Sequence, residues 1–170
     1  ATGLEWINPS PNMRSLTEAI LYPGIGLLET TNLSVGRGTE TPFELIGAPW
    51  LDGETLAVEL NRLNLPGIAF EAIQFIPDAS KFEGQSCSGV RFSILDRQLF
   101  DPLQAGIEIA LKLRILYPDT WKVDKYERLL GNEAVLQAIR DGLAYTEIKA
   151  LYDDDLSAFM ERRSRYILYP

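Results

Sequence analysis

Residues 27–50 read LLETTNLSVGRGTETPFELIGAPW and crowd the groups that can do chemistry into one short stretch: Glu29, Asn32, Ser34, Arg37, Thr39 and Glu44. A carboxylate, an amide, hydroxyls and a guanidinium at this spacing, with glycines among them and little helical periodicity, suit a polar loop that contacts a small acidic or hydroxylated ligand. Gly36 and Gly38 on either side of Arg37 allow the backbone to take positive φ and to project the guanidinium from a tight turn. A guanidinium presents a planar fork that fits a carboxylate, so Arg37 either meets a ligand or pairs with Glu29 or Glu44 to hold the loop. Asn32 reads equally as an Asx-turn residue or as a ligand donor and acceptor, and "NLS" at 32–34 also fits a glycosylation acceptor. Lys81 lies in "PDASKFEG", a loop directly after an apolar segment, as a solvated lysine or a site residue. Trp50 is a core aromatic or a stacking surface for a sugar. Cys87, between serines, reads as a small, partly buried residue.

The chain contains no histidine and one cysteine. Ser-His-Asp and Cys-His catalysis are thereby excluded, and so are the common zinc and facial-triad ligand sets. No metal and no cofactor are expected, and proton transfer falls to carboxylates, Lys, Arg, Tyr or a partner domain. The glycines of "SVGRGT" match neither a P-loop nor the three-glycine dinucleotide fingerprint. With 24 acidic against 16 basic residues, a formal charge of −8 and no long Lys/Arg block, nucleic acid is not an expected partner. No run approaches the ~20 apolar residues of a membrane span, so no membrane insertion is expected. No basic stretch followed by an apolar core opens the chain, and "ATGLEWINPSPNM" reads as the interior of a longer protein.

The elements that must carry these residues follow from periodicity. At 170 residues and 46% hydrophobic content, one domain with a sizeable core is expected. Ser15 with Glu18 forms a capping box for a short helix to Leu21, stopped by Pro23 and Gly24. "IGLLE" and "FELIGA" are short apolar pieces bounded by Gly and Pro and are expected as strands or extended segments. Helical spacing of Leu56, Val58, Leu60 and Leu63, with Ala57, starts at Asp52 and ends at "NLPG". "IAFEAIQFIP" alternates on Ile68 and Phe70, then shifts phase to Ile73 and Phe75, which predicts a bulge near Glu71 and Ala72. "SGVRFSILD" is a cleaner strand, with Val90, Phe92 and Ile94 on one face and Arg91 and Ser93 on the other. Leu103, Ile107, Leu111 and Ile115 define the strongest helix, ended by Pro118. Helices from cap Asn132 to Gly142 and from about Asp155 to Arg163 follow, the latter with the stripe Leu156, Phe159 and Met160. "YILYP" is expected as an edge strand. The class is α+β: short, partly barrel-like strands early, and two to four amphipathic helices.

Several of these segments together, "PSPNM", "YPG", the 27–50 stretch, "SKFEG" with "CSGV", and "ILDRQLFDPLQAG", resemble the C-terminal portion of the DUF1343 family, which includes exo-β-N-acetylmuramidases. The likeness extends from Trp6 to the "ERRSRYILY" end. It implies one domain over 1–170 that is the C-terminal, auxiliary part of a two-domain protein. The Rossmann-like N-terminal half of such a protein, with the principal catalytic glutamate, is absent from this chain. It further implies removal of terminal N-acetylmuramic acid from peptidoglycan fragments in a cleft between the halves, in a periplasmic or secreted setting. The expected partners are that N-terminal domain and muramic-acid-containing saccharides. On this resemblance Glu29 is an auxiliary catalytic carboxylate, Asn32, Ser34, Arg37 and Lys81 bind substrate, and Arg37 or Lys81 meets the lactyl carboxylate. A non-catalytic cell-wall or carbohydrate-binding module, an interaction domain and a small-molecule-binding regulatory domain are the alternatives.

Overall fold

The computed structural model describes residues 4–168. It is an α+β fold in which a small antiparallel sheet lies against helices. Helix α1 (Leu16–Ile25) begins at the expected box: Ser15 Oγ accepts from Glu18 N at 3.1 Å, and the Glu18 carboxylate accepts from Ser15 N at 3.1 Å. It does not stop at Leu21 but runs through Pro23. A proline so near the C-terminal end removes one intrahelical donor, and the last turn is held by Gly24 and Ile25, both buried.

Gly24 is where α1 meets α3 (Pro102–Leu116). A β-carbon on Gly24 would sit 1.8 Å from the Pro102 carbonyl oxygen, and one on Gly106 would sit 2.6 Å from the Gly24 carbonyl oxygen. The two backbones touch, which only glycine permits at both positions.

"IGLLE" was expected extended; Gly26–Thr30 is instead a 3-10 helix continuing from α1. Ile25 and Leu28, three apart, both turn into the core. Alternation in so short an apolar run does not separate strand from helix.

β1 (Leu45–Ala48), β2 (Ile68–Phe75) and β3 (Cys87–Ile94) form the sheet in the order β1-β3-β2, all antiparallel. The register of β2 on β3 is unbroken from Ile68↔Ile94 to Phe75↔Cys87, so the expected bulge at Glu71 and Ala72 is absent. The phase shift has another cause. Ile68, Phe70 and Ala72 share the face that meets α2 (Gly53–Asn61), whereas Ile73 and Phe75 point to the opposite face. β2 thus uses apolar residues on both sides.

The core joins Leu21, Ile25, Leu28, Leu56, Leu60, Phe70, Val90, Phe92 and the inward side of α3. Helices α5 (Glu133–Asp141) and α6 (Tyr145–Ala150) pack against α3, and α4 (Glu127–Leu130) against the 3-10 helix and α5, with α5 capped by Asn132 and ended by left-handed Gly142 as expected. Helix α7 (Asp153–Ser164) has the expected acidic first turn and basic last turn, but among the described residues it buries nothing. Leu156, Phe159 and Met160 are 44–48% exposed. Residues 165–168 form turn and irregular structure rather than an edge strand, and the rest of "YILYP" lies outside the described residues. Among the described residues no helix is long and apolar enough to cross a membrane.

Candidate functional site

The polar loop leaves the 3-10 helix and returns as β1. Ser34 anchors it through a two-way backbone bridge with Gly47, at 2.9 and 3.0 Å, and the buried Ser34 hydroxyl accepts from Gly36 N at 3.2 Å. Gly36 (φ 80°) and Gly38 (φ 78°) are both left-handed, as the spacing around Arg37 requires. Gly38 is also clamped: its carbonyl accepts from Asp78 N at 2.7 Å, and a β-carbon there would sit 2.2 Å from the Ala79 carbonyl oxygen. This latch joins the 34–41 loop to the 76–84 loop that carries Lys81.

Arg37 pairs with Glu29. Its Nε lies 2.5 Å from Oε1, off the angle of a hydrogen bond, and Nη2 donates to Oε2 at 3.1 Å. Phe43, itself left-handed at φ 65°, sets its ring under the guanidinium with 5.1 Å from Cζ to the centroid. The two charged side chains are 31% and 30% exposed, so this is a rim pair rather than a core ion pair.

Lys81 sits between two non-glycine left-handed residues, Ser80 (φ 69°) and Phe82 (φ 63°), an uncommon arrangement that turns its side chain inward. The ammonium donates to the carbonyls of Glu29 and Leu33, each at 3.0 Å, and to that of Thr31. Its three donors are therefore all used. Partial burial holds its pKa below the ordinary 10.5, while the Glu29 carboxylate acts in the opposite direction.

Glu29, Ser34, Arg37 and Lys81 come together, with Leu33, Val35 and Ser80, around a recess of about 80 Å³. That is far below the ~300 Å³ at which ligand pockets usually begin. Asn32 lies apart from them. Its amide Nδ2 donates to the Thr120 carbonyl at 2.9 Å and its Oδ1 accepts from Lys122 N at 2.7 Å, tying the loop to the turn after α3. Glu44 accepts from Ser15 Oγ at 3.2 Å, and Thr39 Oγ1 donates to the Gly36 carbonyl at 2.7 Å. Trp50 is half-buried edge-to-face on Tyr117, with ring centroids 5.3 Å apart.

Residues 20–169 match the family described as exo-β-N-acetylmuramidase NamZ, C-terminal. The chain belongs to that family. It is 37% identical over 171 aligned residues to the peptidoglycan β-N-acetylmuramidase NamZ of Bacillus subtilis (strain 168), a match that covers 99% of this chain and 41% of the relative. Among solved structures it is similar to two DUF1343 family proteins of Bacteroides fragilis, each 28% identical. One superposes with a TM-score of 0.88 over 99% of this chain and 46% of the other, the second with 0.71 over 96% and 44%. The chain thus spans less than half the length of each of these proteins.

In this NamZ C-terminal fold a larger cavity, of about 500 Å³, lies on the far side of the latch, against the outer face of the sheet. Its lining includes Arg14, Thr39, Glu40, Thr41, Asp78 and Arg91 over Leu45, Ile73, Phe75 and Ile76. Sequence reasoning missed this site. Its signal was the phase shift in β2, which put Ile73 and Phe75 on the side of the sheet that Arg91 shares.

Proposed function

We propose that this chain is the C-terminal part of a glycoside hydrolase that releases terminal N-acetylmuramic acid from peptidoglycan fragments. It forms one wall of a substrate cleft whose other wall, with the principal catalytic acid, belongs to an upstream Rossmann-like domain. The observation that carries this reading is the match along the whole chain to a peptidoglycan β-N-acetylmuramidase, of which it covers 41%. The geometry fits a wall better than a complete site. The Glu29–Arg37 recess is too shallow to enclose a sugar, and α7 leaves the apolar stripe Leu156, Phe159 and Met160 half-exposed, as a half-protein with a partner domain would.

Within that wall the roles divide by the hydrogen bonds already made. Arg37 faces Glu29 with Nε and Nη2, leaving Nη1 for a substrate carboxylate or carbonyl. Glu29, beside the Arg37 guanidinium and the Lys81 ammonium, offsets positive charge that develops on the sugar ring. Ser34 sets the loop, Lys81 fixes the carbonyls beneath it, and Asn32 holds its base. Arg37→Ala and Glu29→Gln in the full-length enzyme should each lower kcat/KM on a chromogenic muramide at least tenfold, about 1.4 kcal/mol of transition-state stabilisation. Thermal stability should stay near wild type. Unchanged rates in both variants would turn the reading toward a non-catalytic wall-binding module.

A further inference from the structure

We propose that the cavity on the outer face of the sheet is a second ligand site, one that selects a carboxylate-bearing saccharide through Arg91, assisted by Arg14. The cations of the two loops and the sheet differ in how much of each is free. Arg37 has Nε and Nη2 turned to Glu29 and keeps only Nη1, and Lys81 has no donor left. Arg91 stands on β3 between Leu45 and Glu71, yet among the described residues its guanidinium makes no hydrogen bond and no ion pair. Arg14 spends only Nε, on the Pro11 carbonyl at 2.7 Å, and its two terminal nitrogens stay available. A partly buried guanidinium without an acceptor, inside a cavity of about 500 Å³, is an open fork for a carboxylate.

The remaining lining narrows the ligand. Leu45, Ile73, Phe75 and Ile76 give an apolar floor for the face of a sugar ring. Thr41, Glu40 and Asp78 offer acceptors for ring hydroxyls, and the two carboxylates at the exposed rim oppose a polyanion or a phosphate ester. One negative charge on an otherwise hydroxylated, amphipathic ring satisfies all three. The site lies across the Gly38–Asp78 latch from the Glu29–Arg37 recess, so both open on the same pair of loops.

The saccharide part of this proposal rests on the muramidase reading; the carboxylate preference rests on Arg91 with Arg14 beside it. The test is equilibrium binding to the full 170-residue chain, by calorimetry and by amide chemical shifts of β2 and β3. The probes are N-acetylmuramic acid, N-acetylglucosamine, which lacks the lactyl carboxylate, and a short acidic peptide without sugar. Saturable binding of N-acetylmuramic acid at least tenfold tighter than N-acetylglucosamine, with that preference lost in Arg91→Gln and partly kept in Arg91→Lys, supports the site as stated. Equal binding of the two sugars, a preference that survives Arg91→Gln, binding of the acidic peptide alone, or no saturable binding of any probe overturns it. Should Arg91→Gln fail to fold, the exposed Arg14→Gln carries the same comparison: a reduced preference supports the site and an unchanged one overturns it. Failure of the cleft-wall reading is seen separately, as hydrolysis by the full-length enzyme that is indifferent to Arg37 and Glu29.

Discussion

At the scale of single residues, what distinguishes the polar groups of the 27–50 stretch is how many of their hydrogen-bonding positions are already filled. The left-handed glycines around Arg37 were readable from spacing, whereas its pairing with Glu29 was one of the alternatives, beside Glu44 and a ligand, that spacing left open. The sequence left Lys81 as a solvated side chain or a ligand group, because nothing local shows that a chain reversal 50 residues earlier aims three carbonyls at it. A charge-assisted hydrogen bond contributes roughly 1.5–3 kcal/mol. Three of them, offset by the cost of partly burying the ammonium, should leave Lys81→Met destabilised by about 2 kcal/mol. For a domain of this size that corresponds to a fall in Tm of about 4–8 °C. Calorimetric unfolding at neutral pH measures it, and a Tm within a degree of wild type would show that the carbonyl clasp contributes little. Arg37→Ala should not share the loss, since its partner is a third exposed and surface pairs contribute about 0–1 kcal/mol.

At the scale of elements, caps and long periodicities were legible and short apolar runs were not. Ser15 and Asn132 cap their helices as the sequence indicated, and Asp52 and Asp101 do the same for α2 and α3, because capping is a local contest between side chain and backbone. "IGLLE" became a 3-10 helix and β2 kept its register because both outcomes depend on what lies opposite. For "IGLLE" that is the core; for β2 it is a second apolar face beneath the cavity. The strongest periodicity, α3, carries a pH signature as well. Burial pushes the Glu108 carboxyl above its ordinary 4.5, with Lys112 one turn away pulling against it. The folded state then binds more protons than the unfolded state between 4.5 and the raised value, so this residue's contribution is favourable at low pH and is lost as pH rises through that window. Glu108→Gln should therefore stabilise the protein at neutral pH, with the gain disappearing below about pH 4.5. Urea unfolding of both forms from pH 4 to pH 7 checks the sign; a gain that grew on acidification would contradict it.

At the scale of the whole molecule, the family was legible because its signature is long and contiguous, E-x-x-N-x-S-x-G-R-G-T with P-F-E-x-x-G-A-P-W, and the matches to NamZ and DUF1343 proteins uphold it. The site was legible only in part. The signature residues separate in space, with Asn32 at the foot of the loop, Glu29 and Arg37 beside Lys81 at a recess, and Gly38 and Thr39 at the edge of the larger cavity, whose other walls, Arg14, Arg91 and the end of β2, lie outside the motif. On the proposed reading, a domain that presents recesses instead of an enclosed pocket works against the surface of another domain. The most direct measurement of that claim is muramide hydrolysis by the full-length enzyme, by its upstream part alone, by this chain alone, and by the two parts mixed. The account predicts no turnover by this chain, a loss of at least a hundredfold in kcat/KM for the upstream part alone, and recovery on mixing. An upstream part that matches the full-length enzyme on its own would contradict it.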